Sequence, residues 1–290
     1  MDRIEQLRRG LNPDMTILEI GPNYNPIAPR AGGWRTTILD CTDKTELLRR
    51  LATVNEADIT ALSAQVEDVD IIWNGEPLDE LCLARNPAGF DFLIASHVIE
   101  HIPDLIRFFQ SVTRLMKKEG ILSLAVPDLR YCFDFYKPPT STAGILAAYR
   151  CRRTIHFPET IFANCSCNAH VNDRGAWLRE PFRVPEITLD LFNAYDDYLA
   201  YASAESAGTQ SYRDAHCWHF TPAVFETVMF ELNCLKLIEY GVDWVEENQG
   251  SEFVVQMRRT ISTLRVEEVR EKRTKLYRKA IGELTNRSPY

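Results

Sequence analysis

The sequence predicts an α/β fold built on a mostly parallel β-sheet, and three features of the chain indicate it. Short apolar runs of strand length recur in the first half, at 16–20, 36–40, 70–73, 90–96 and 120–127. Stretches with helical periodicity separate these runs, which is typical of βαβ units. Two later runs, LKLIEYGV and SEFVVQMR, flank a polar turn that contains a glycine and predict a closing antiparallel hairpin.

The clearest helical pattern covers 104–120. Its apolar residues recur at intervals of three and four, and Gly120 marks the predicted end of the helix. The segment 131–215 is rich in aromatic residues, proline and histidine and has weak periodicity, so we expect an insertion over the sheet. A further helix is predicted over 222–232, directly after the FTP turn.

The amino-acid composition of the chain limits the classes of protein to which it can belong. The chain has 290 residues, 45% of them hydrophobic, which is enough for a large core. It contains no run of about 18 apolar residues and begins with the charged segment MDRIEQLRRG, so we expect a soluble, cytoplasmic protein. The net charge of −8 argues against a general nucleic-acid binder, and no nucleic acid is expected as a partner.

The eight cysteines are scattered and form no CxxC pair, so we expect reduced thiols. Cys165 and Cys167, together with His170, offer part of a metal site. A zinc site normally needs a second ligand pair at matching spacing, so ordinary free thiols are the favoured interpretation.

The first candidate site lies where the first two predicted strands end. Glu19 ends the first strand and Gly21 occupies the sharp turn after it, where a ligand at the carboxyl edge of an α/β sheet needs close approach to backbone. Asp40 ends the second strand, where a carboxylate can accept both ribose hydroxyls of a nucleoside. The phosphate loop GxGxxG of dinucleotide enzymes is missing, which favours a nucleoside ligand without a pyrophosphate.

Five segments in this order and spacing resemble the class I S-adenosylmethionine (SAM) dependent methyltransferases over residues 15–130: LEIGP, ILD, DIIWNGEPL, FDFLIASHVIEHIPD and KKEGILSLAVPD. Within that superfamily, LEIGPxxNP together with ASHVIEH and AVPDxRYxFD resembles methyltransferases encoded among polysaccharide-biosynthesis enzymes. The resemblance implies a Rossmann-like sheet with an antiparallel closing hairpin, to which the residue patterns add a helical insertion or cap and a C-terminal helix. It also implies SAM as cofactor and S-adenosylhomocysteine as product.

The resemblance also implies contacts for each part of the cofactor. The methionine end would be bordered by Glu19, Gly21 and Pro22, with Asn25 nearby, and the ribose by Asp40. The adenine would lie against Trp73, Asn74 and Gly75, although core packing is an equal explanation for Trp73. Ser96 and His97 would lie under the sulfonium. We accordingly divide the chain into a SAM-binding core (1–130), an acceptor-binding insertion or cap (131–215), a closing helix and hairpin (216–258) and a basic helical tail (259–290).

Transfer to an oxygen acceptor needs a group that takes the acceptor's proton. His216 is the favoured general base, because its loop can return to the carboxyl edge of the sheet, and His97 is the second candidate. His97, Glu100 and His101 also have the spacing of metal ligands on one helical turn, but such pairs arise easily by chance. No metal is therefore expected.

The predicted function is an O-methyltransferase that acts on a sugar hydroxyl of a bacterial surface polysaccharide or its lipid-linked precursor, so a glycan is the expected partner. Methylation of a small molecule or lipid is one alternative, and a SAM-binding regulatory domain without chemistry is another. Candidate sugar-stacking side chains are Tyr131, Phe133, Tyr136, Trp177, Tyr195 and Tyr198, although most should form the insertion's own core.

The tail differs from the rest of the chain in charge. From Arg258 onward it carries ten basic and four acidic residues, a net +6, which leaves −14 for the first 257 residues. A helix is predicted here, with a narrow apolar face formed by Val269, Leu276, Ala280 and Leu284. Three partners for this face remain open: the chain's own domain, a second subunit, or the anionic inner face of the membrane.

Overall fold

The computed structural model describes residues 2–53, 59–171, 174–177, 186–187, 191–247 and 250–285. The helices of this part of the chain are α1 (Arg3–Leu7), α2 (Lys44–Leu51), α3 (Ile59–Gln65), α4 (Leu78–Arg85), α5 (Leu105–Leu115), α6 (Thr142–Arg150), α7 (Pro158–Ser166), α8 (Leu191–Ser206), α9 (Pro222–Cys234) and α10 (Val266–Thr285). The strands are β1 (Thr16–Ile20), β2 (Arg35–Asp40), β3 (Ile71–Ile72), β4 (Phe90–Ser96), β5 (Met116–Pro127), β6 (Ala169–Val171), β7 (Arg174–Gly175), β8 (Glu186–Ile187), β9 (Tyr240–Glu247) and β10 (Glu252–Arg259).

A seven-stranded sheet with the order β3-β2-β1-β4-β5-β10-β9 forms the centre of the fold. The pairs from β3 to β5 are parallel, whereas β10 runs antiparallel to both β5 and β9. The predicted closing hairpin is therefore β9 and β10, and the predicted fold class is confirmed. A small second sheet has the order β7-β6-β8.

The register of the central strands decides which residues share an edge. Ile20, the last residue of β1, lies opposite Leu39 of β2 and Ala95 of β4. Because parallel strands end at the same edge, the residues that follow β1, β2 and β4 meet there. This edge carries the turns in which most of the predicted cofactor residues lie.

Buried side chains pack on both faces of the sheet. The larger cluster joins inward residues of the strands, such as Leu93 and Leu124, to α5 and α9. The smaller cluster includes Ile17, Phe92 and Ile94 and is covered by Leu7 of α1 and by the loop at Ile27. The N-terminal helix thus packs on the sheet face opposite α9.

The helix predicted over 104–120 ends earlier, at Leu115, so the predicted end at Gly120 is wrong. Asp104 caps its start by accepting a hydrogen bond from the amide of Arg107 (3.1 Å). Residues from Met116 onward already belong to β5, with a shift in register against β4 between Phe90 and Phe92. Gly120 has another function, because a Cβ there would lie 2.9 Å from the carbonyl oxygen of Lys117.

The segment between β5 and α9 contains α6, α7, α8 and the small sheet. Helices α7 and α8 pack on each other, and α6 contributes the buried residues Ile145 and Ala148 to the larger core cluster. The third predicted strand, 70–73, is reduced to the two residues of β3.

The C-terminal helix α10 packs on α9. Arg273 forms an ion pair with Glu231 of α9, and Nζ of Lys279 lies 2.7 Å from Oε2 of Glu226. Ala280 is buried in the larger core cluster. Part of the predicted apolar face is therefore covered by the chain's own domain. Within the described segments, no helix combines the length and apolarity needed to span a membrane.

Candidate active site

The turn after β1 requires glycine at position 21. Gly21 has φ +64° and donates a hydrogen bond to the carbonyl of Leu39 (2.8 Å), and a Cβ would lie 3.2 Å from Cγ2 of Val98. Pro22 after it is buried, whereas Asn25 is exposed and donates its amide hydrogen to the Pro22 carbonyl (2.9 Å). The backbone of this turn is thus held close to the turn that follows β4.

Glu19 supports the loop that follows this turn. Its buried carboxylate accepts hydrogen bonds from the amides of Ile27 (2.5 Å) and Ala28 (3.0 Å). Burial raises the pKa of Glu19 to about 7, although the two amides act in the opposite direction. Both oxygens are used inside the chain, so Glu19 shapes the loop around the predicted methionine end.

Asp40 presents a free carboxylate oxygen at the end of β2. Oδ1 accepts from the amide of Cys41 (2.7 Å), while Oδ2 is buried and has no hydrogen-bond partner among the described residues. Burial raises the pKa of Asp40, and the backbone amide of Cys41 partly offsets this. An unpaired buried oxygen is costly, which makes this position suited to a ligand that donates hydrogen bonds.

The turn after β3 lies beside Asp40, because the Trp73 amide donates to the Asp40 carbonyl (2.8 Å). Trp73 is half-buried against the core and donates its indole N–H to the carbonyl of Glu76 (2.8 Å). The amide of Asn74 donates to the Glu76 carboxylate (2.9 Å), and Gly75 has φ +97°. The predicted adenine-binding residues thus form one tight turn next to the predicted ribose-binding residue.

The turn after β4 brings together side chains from both ends of the chain. His97 has φ +55°, and its Nε2 lies 2.6 Å from Oε2 of Glu252, the first residue of β10. Arg3 of α1 donates to Glu252 (2.5 Å) and to Oγ of Ser96 (2.7 Å). Burial lowers the pKa of His97, but Glu100 and Glu252 outweigh it and raise that pKa to about 9. The sequence interpretation missed Arg3 and Glu252, because neither is near the other motifs in the chain.

Glu100 is almost fully buried in this region, with 1% of its surface exposed. Nε2 of His101 and Nε2 of His216 each lie 3.9 Å from its Oε1. His216 reaches this position because the next residue, Cys217, donates its amide hydrogen to the Glu100 carbonyl (2.8 Å). The loop of His216 therefore returns to the edge of the sheet, at the turn after β4.

Asp134 holds His216 in one orientation. Nδ1 of His216 lies 2.6 Å from Oδ2 of Asp134, and the buried Lys137 donates to Oδ1 of the same carboxylate (2.7 Å). These contacts hold the pKa of Asp134 well below its usual range, although burial alone would raise it. An ionised Asp134 accepts a hydrogen bond from Nδ1 of His216 and leaves its Nε2 on the side of Glu100.

The structure changes the set of residues that converge. Among the described histidines, cysteines and acids, the group close enough to share an ion is Glu100, His101 and His216, whose ligand atoms lie within 4.8 Å of one another. The set considered from spacing on a single helical turn, and not favoured there, has His97 in place of His216. Cys165, Cys167 and His170 do not form such a group, and none of the eight cysteines is paired in a disulfide among the described residues.

Two of the six candidate stacking residues lie at the histidines. The ring of Trp177 is 5.3 Å from that of His97, and the ring of Phe133 is 4.6 Å from that of His216. Tyr195 and Tyr198 stack on each other on α8 instead. The aromatic edge of the site is therefore formed by Phe133 and Trp177.

A family model described as a methyltransferase domain matches residues 1–234. The chain belongs to this methyltransferase family. The matched segment includes the turns after β1, β2 and β4 and the loop of His216, and the prediction that this protein is a methyltransferase is confirmed. No curated protein sequence matches this chain.

Solved structures of several methyltransferases are similar to this chain. One from Mesorhizobium loti has 13% identity and a TM-score of 0.42, and the alignment covers 88% of this chain and 98% of the other. One from Methanosarcina mazei has 17% identity and a TM-score of 0.41, covering 90% and 99%. One described as putative, from Listeria monocytogenes, has 10% identity and a TM-score of 0.41, covering 88% and 97%. Because these identities and TM-scores are low, the family assignment rests on the family model alone.

Proposed function

We propose that the protein is a SAM-dependent O-methyltransferase that acts on a sugar hydroxyl of a bacterial surface polysaccharide or its lipid-linked precursor. The observation that carries this proposal is the meeting of Glu100, His101 and His216 at the edge where β1, β2 and β4 end. This edge is where open α/β sheets bind their ligands. The arrangement puts groups that can handle an acceptor proton beside the proposed donor site.

S-adenosylmethionine is the methyl donor. Asp40 accepts hydrogen bonds from the ribose hydroxyls through its unpaired Oδ2, and the turn from Trp73 to Gly75 borders the adenine. The methionine end lies near Gly21, Pro22 and Asn25, with Glu19 supporting that loop. In the described part of the chain, Nη1 of Arg3 is buried and unpaired, so its guanidinium is a suitable partner for the methionine carboxylate.

Methyl transfer proceeds in line from the sulfonium to the acceptor oxygen, near Ser96 and His97. In the metal-free protein, His216 takes the hydroxyl proton on Nε2, and Asp134 stabilises the imidazolium that forms. His97 is the alternative base, but its Nε2 already contacts Glu252, which makes it less available. His216→Ala should lower the turnover number by about two to four orders of magnitude and leave SAM affinity nearly unchanged.

The sugar acceptor is supported by Phe133 and Trp177, which can present aromatic faces to a pyranose beside the histidines. The acceptor is tested with SAM labelled in its methyl group, using isolated surface glycans and nucleotide sugars. Trp177→Ala should raise the acceptor KM several-fold and leave SAM affinity unchanged, whereas Tyr195→Ala on α8 serves as the control with an unchanged KM.

Other outcomes of this assay identify the alternatives. Label recovered only in small molecules or lipids would contradict the sugar acceptor and support the second candidate function. Binding of both SAM and S-adenosylhomocysteine in calorimetry, without transfer to any acceptor, would support a regulatory domain.

We also propose that the enzyme acts in the cytoplasm, at the inner face of the membrane. Helix α10 exposes Val266 and Ile281 (61% and 58%) among basic side chains, a composition suited to peripheral contact with anionic lipid. Co-pelleting with liposomes of phosphatidylglycerol tests this contact, and sedimentation of the protein alone tests self-association through the same surface.

A further inference from the structure

Glu100 is a buried carboxylate whose charge the protein only partly accommodates. Neither of its oxygens forms a hydrogen bond with any residue that the structure describes, and Nδ1 of His97 lies 3.5 Å from Oε1. A buried acid without hydrogen bonds is costly unless a cation compensates it. We infer that Glu100, His101 and His216 form a binding site for one divalent transition-metal ion.

The geometry of the three side chains fits such an ion. Two ligands at a tetrahedral angle on an ion with bonds of about 2.1 Å lie about 3.4 Å apart. Nε2 of His101 and Nε2 of His216 are both 3.9 Å from Oε1 of Glu100, so a change of about 0.5 Å brings each pair to ligand distance. Because Glu100 is buried on the turn after β4, only a small movement of these side chains is needed to bind an ion.

The far nitrogens of both histidines face carboxylates. Nδ1 of His101 lies 2.9 Å from Oδ1 of Asp214, and Nδ1 of His216 lies 2.6 Å from Oδ2 of Asp134. A histidine that binds a metal through Nε2 commonly donates its other N–H to a carboxylate, which fixes the tautomer and makes the ligand more basic. The Asp134–His216 hydrogen bond therefore supports Nε2 of His216 as a ligand atom independently of the distances to Glu100, and the 2.9 Å contact puts Asp214 within reach of the same role at His101.

Two histidines and one carboxylate favour ions such as Mn²⁺, Co²⁺, Fe²⁺ or Zn²⁺ over Ca²⁺, because imidazole is a better ligand for transition metals. Three protein ligands leave coordination positions open for water or an acceptor hydroxyl. Ion binding occupies the Nε2 lone pair of His216, so proton acceptance by that nitrogen belongs to the metal-free protein. In the loaded protein, a coordinated hydroxyl would ionise more readily because the cation stabilises the alkoxide.

The test measures ion binding itself and does not depend on the proposed function. Full-length protein is stripped with EDTA and titrated with Mn²⁺, and free Mn²⁺ is followed by electron paramagnetic resonance. Mn²⁺ is the probe of choice because the free thiols compete for Zn²⁺. We expect one ion per chain, and Glu100→Gln and His216→Gln should each weaken binding at least about 100-fold.

Two further variants distinguish the ligand set Glu100, His101 and His216 from a set that contains His97. Asp214→Asn changes an exposed carboxylate and should weaken binding about 10-fold through His101. His97→Ala should keep the wild-type affinity within about 3-fold, because His97 is paired with Glu252 and is not among the three ligands. Circular dichroism and thermal unfolding establish that each variant is folded.

A measurement on the wild-type protein remains decisive if a core variant does not fold. Pulsed electron paramagnetic resonance of bound Mn²⁺ should show two coordinated imidazole nitrogens. The inference is overturned if the wild type binds no Mn²⁺, if fewer than two imidazole nitrogens couple to the ion, or if Glu100→Gln and His216→Gln bind as tightly as wild type. Loss of binding in His97→Ala to the same degree as in His216→Gln would also overturn this ligand set.

Discussion

Several single residues at the sheet edge lie in positions that cost folding free energy when no ligand is bound. Oδ2 of Asp40 is buried without a partner in the described chain, and Glu19 keeps a buried carboxylate for two backbone amides. Gly21 has a positive φ, which favours glycine, and a Cβ at this position would lie 3.2 Å from Val98. Each feature shapes the edge of the sheet, and each can be tested by one substitution.

Asp40→Ala should weaken SAM binding by about 1 to 3 kcal/mol, because ribose hydroxyls would lose a charged acceptor and remain unpaired. Isothermal titration of SAM measures the change. Asp68→Ala, at an exposed carboxylate, is the control and should bind SAM like the wild type. Equal affinity of Asp40→Ala and wild type would remove Asp40 from the donor site.

Glu19→Gln should make the free energy of unfolding less dependent on pH. The pKa of Glu19 is raised from 4.5 to about 7, so the folded state binds this proton more tightly than the unfolded state. The resulting stabilisation is fully present below pH 4.5 and is lost as the pH rises through about 7.

Between pH 5 and 8, the unfolding free energy of the wild type should therefore fall by about 1 to 3 kcal/mol more than that of Glu19→Gln. Urea unfolding of both proteins at several pH values measures this difference. Parallel pH curves for the two proteins would contradict the raised pKa.

At the scale of elements, the site depends on the docking of the loop 214–218 against the turn after β4. The Cys217 amide and the Trp218 indole N–H donate to the carbonyls of Glu100 (2.8 Å) and Ile102 (2.7 Å). His216 lies between these contacts and the side chain of Asp134. Its position is thus fixed by three elements that are distant in sequence.

Trp218→Phe should lower the turnover number while leaving SAM affinity unchanged. The substitution keeps an aromatic ring but removes the donor to Ile102, which should cost about 1 to 3 kcal/mol of stability and loosen the loop that holds His216. Steady-state kinetics together with thermal unfolding measure both effects. Phe92→Leu, in the smaller core cluster, is the matched control, and it should lose stability without a comparable loss of turnover. A similar turnover loss in both variants would show that global stability, not loop docking, is responsible.

For the whole molecule, α10 joins the C-terminus to the core through α9. Its contacts combine buried Ala280 with ion pairs from Arg273 and Lys279, and the Glu283 carboxylate accepts from the amide of Ala223 at the start of α9 (2.9 Å). The positive tail thereby compensates acidic side chains on α9. This packing makes α10 part of the domain's stability.

Truncation after Arg259 should lower the unfolding free energy by about 2 kcal/mol, which corresponds to about 4 to 8 °C in Tm for a domain of this size. The sheet should remain, because its last strand ends at Arg259. Calorimetry of the truncated and full chains measures the shift, with Arg270→Ala as a control on the exposed part of α10. An unchanged Tm would show that α10 contributes little to the domain.

Local pattern was sufficient for much of the fold. Apolar runs predicted β1, β2, β4 and the closing hairpin, since strand periodicity and turn residues act over a few positions. The end of α5 was misplaced because Leu115 to Gly120 is compatible with a helix by itself, and pairing of Met116 with Phe90 makes it a strand. Secondary structure that depends on a distant partner is not determined by local propensity.

The sequence by itself determined the fold class, the methyltransferase family and the residues at the ends of β1, β2 and β4, because these are set by short motifs in fixed order. Only the tertiary structure decided which groups meet there. Asp134 contacts His216 across 82 residues of sequence and Glu252 contacts His97 across 155, and His216 joins His97 and His101 beside Glu100, which no spacing along the chain indicated. Contacts of this kind depend on how separate elements pack, which no local spacing encodes.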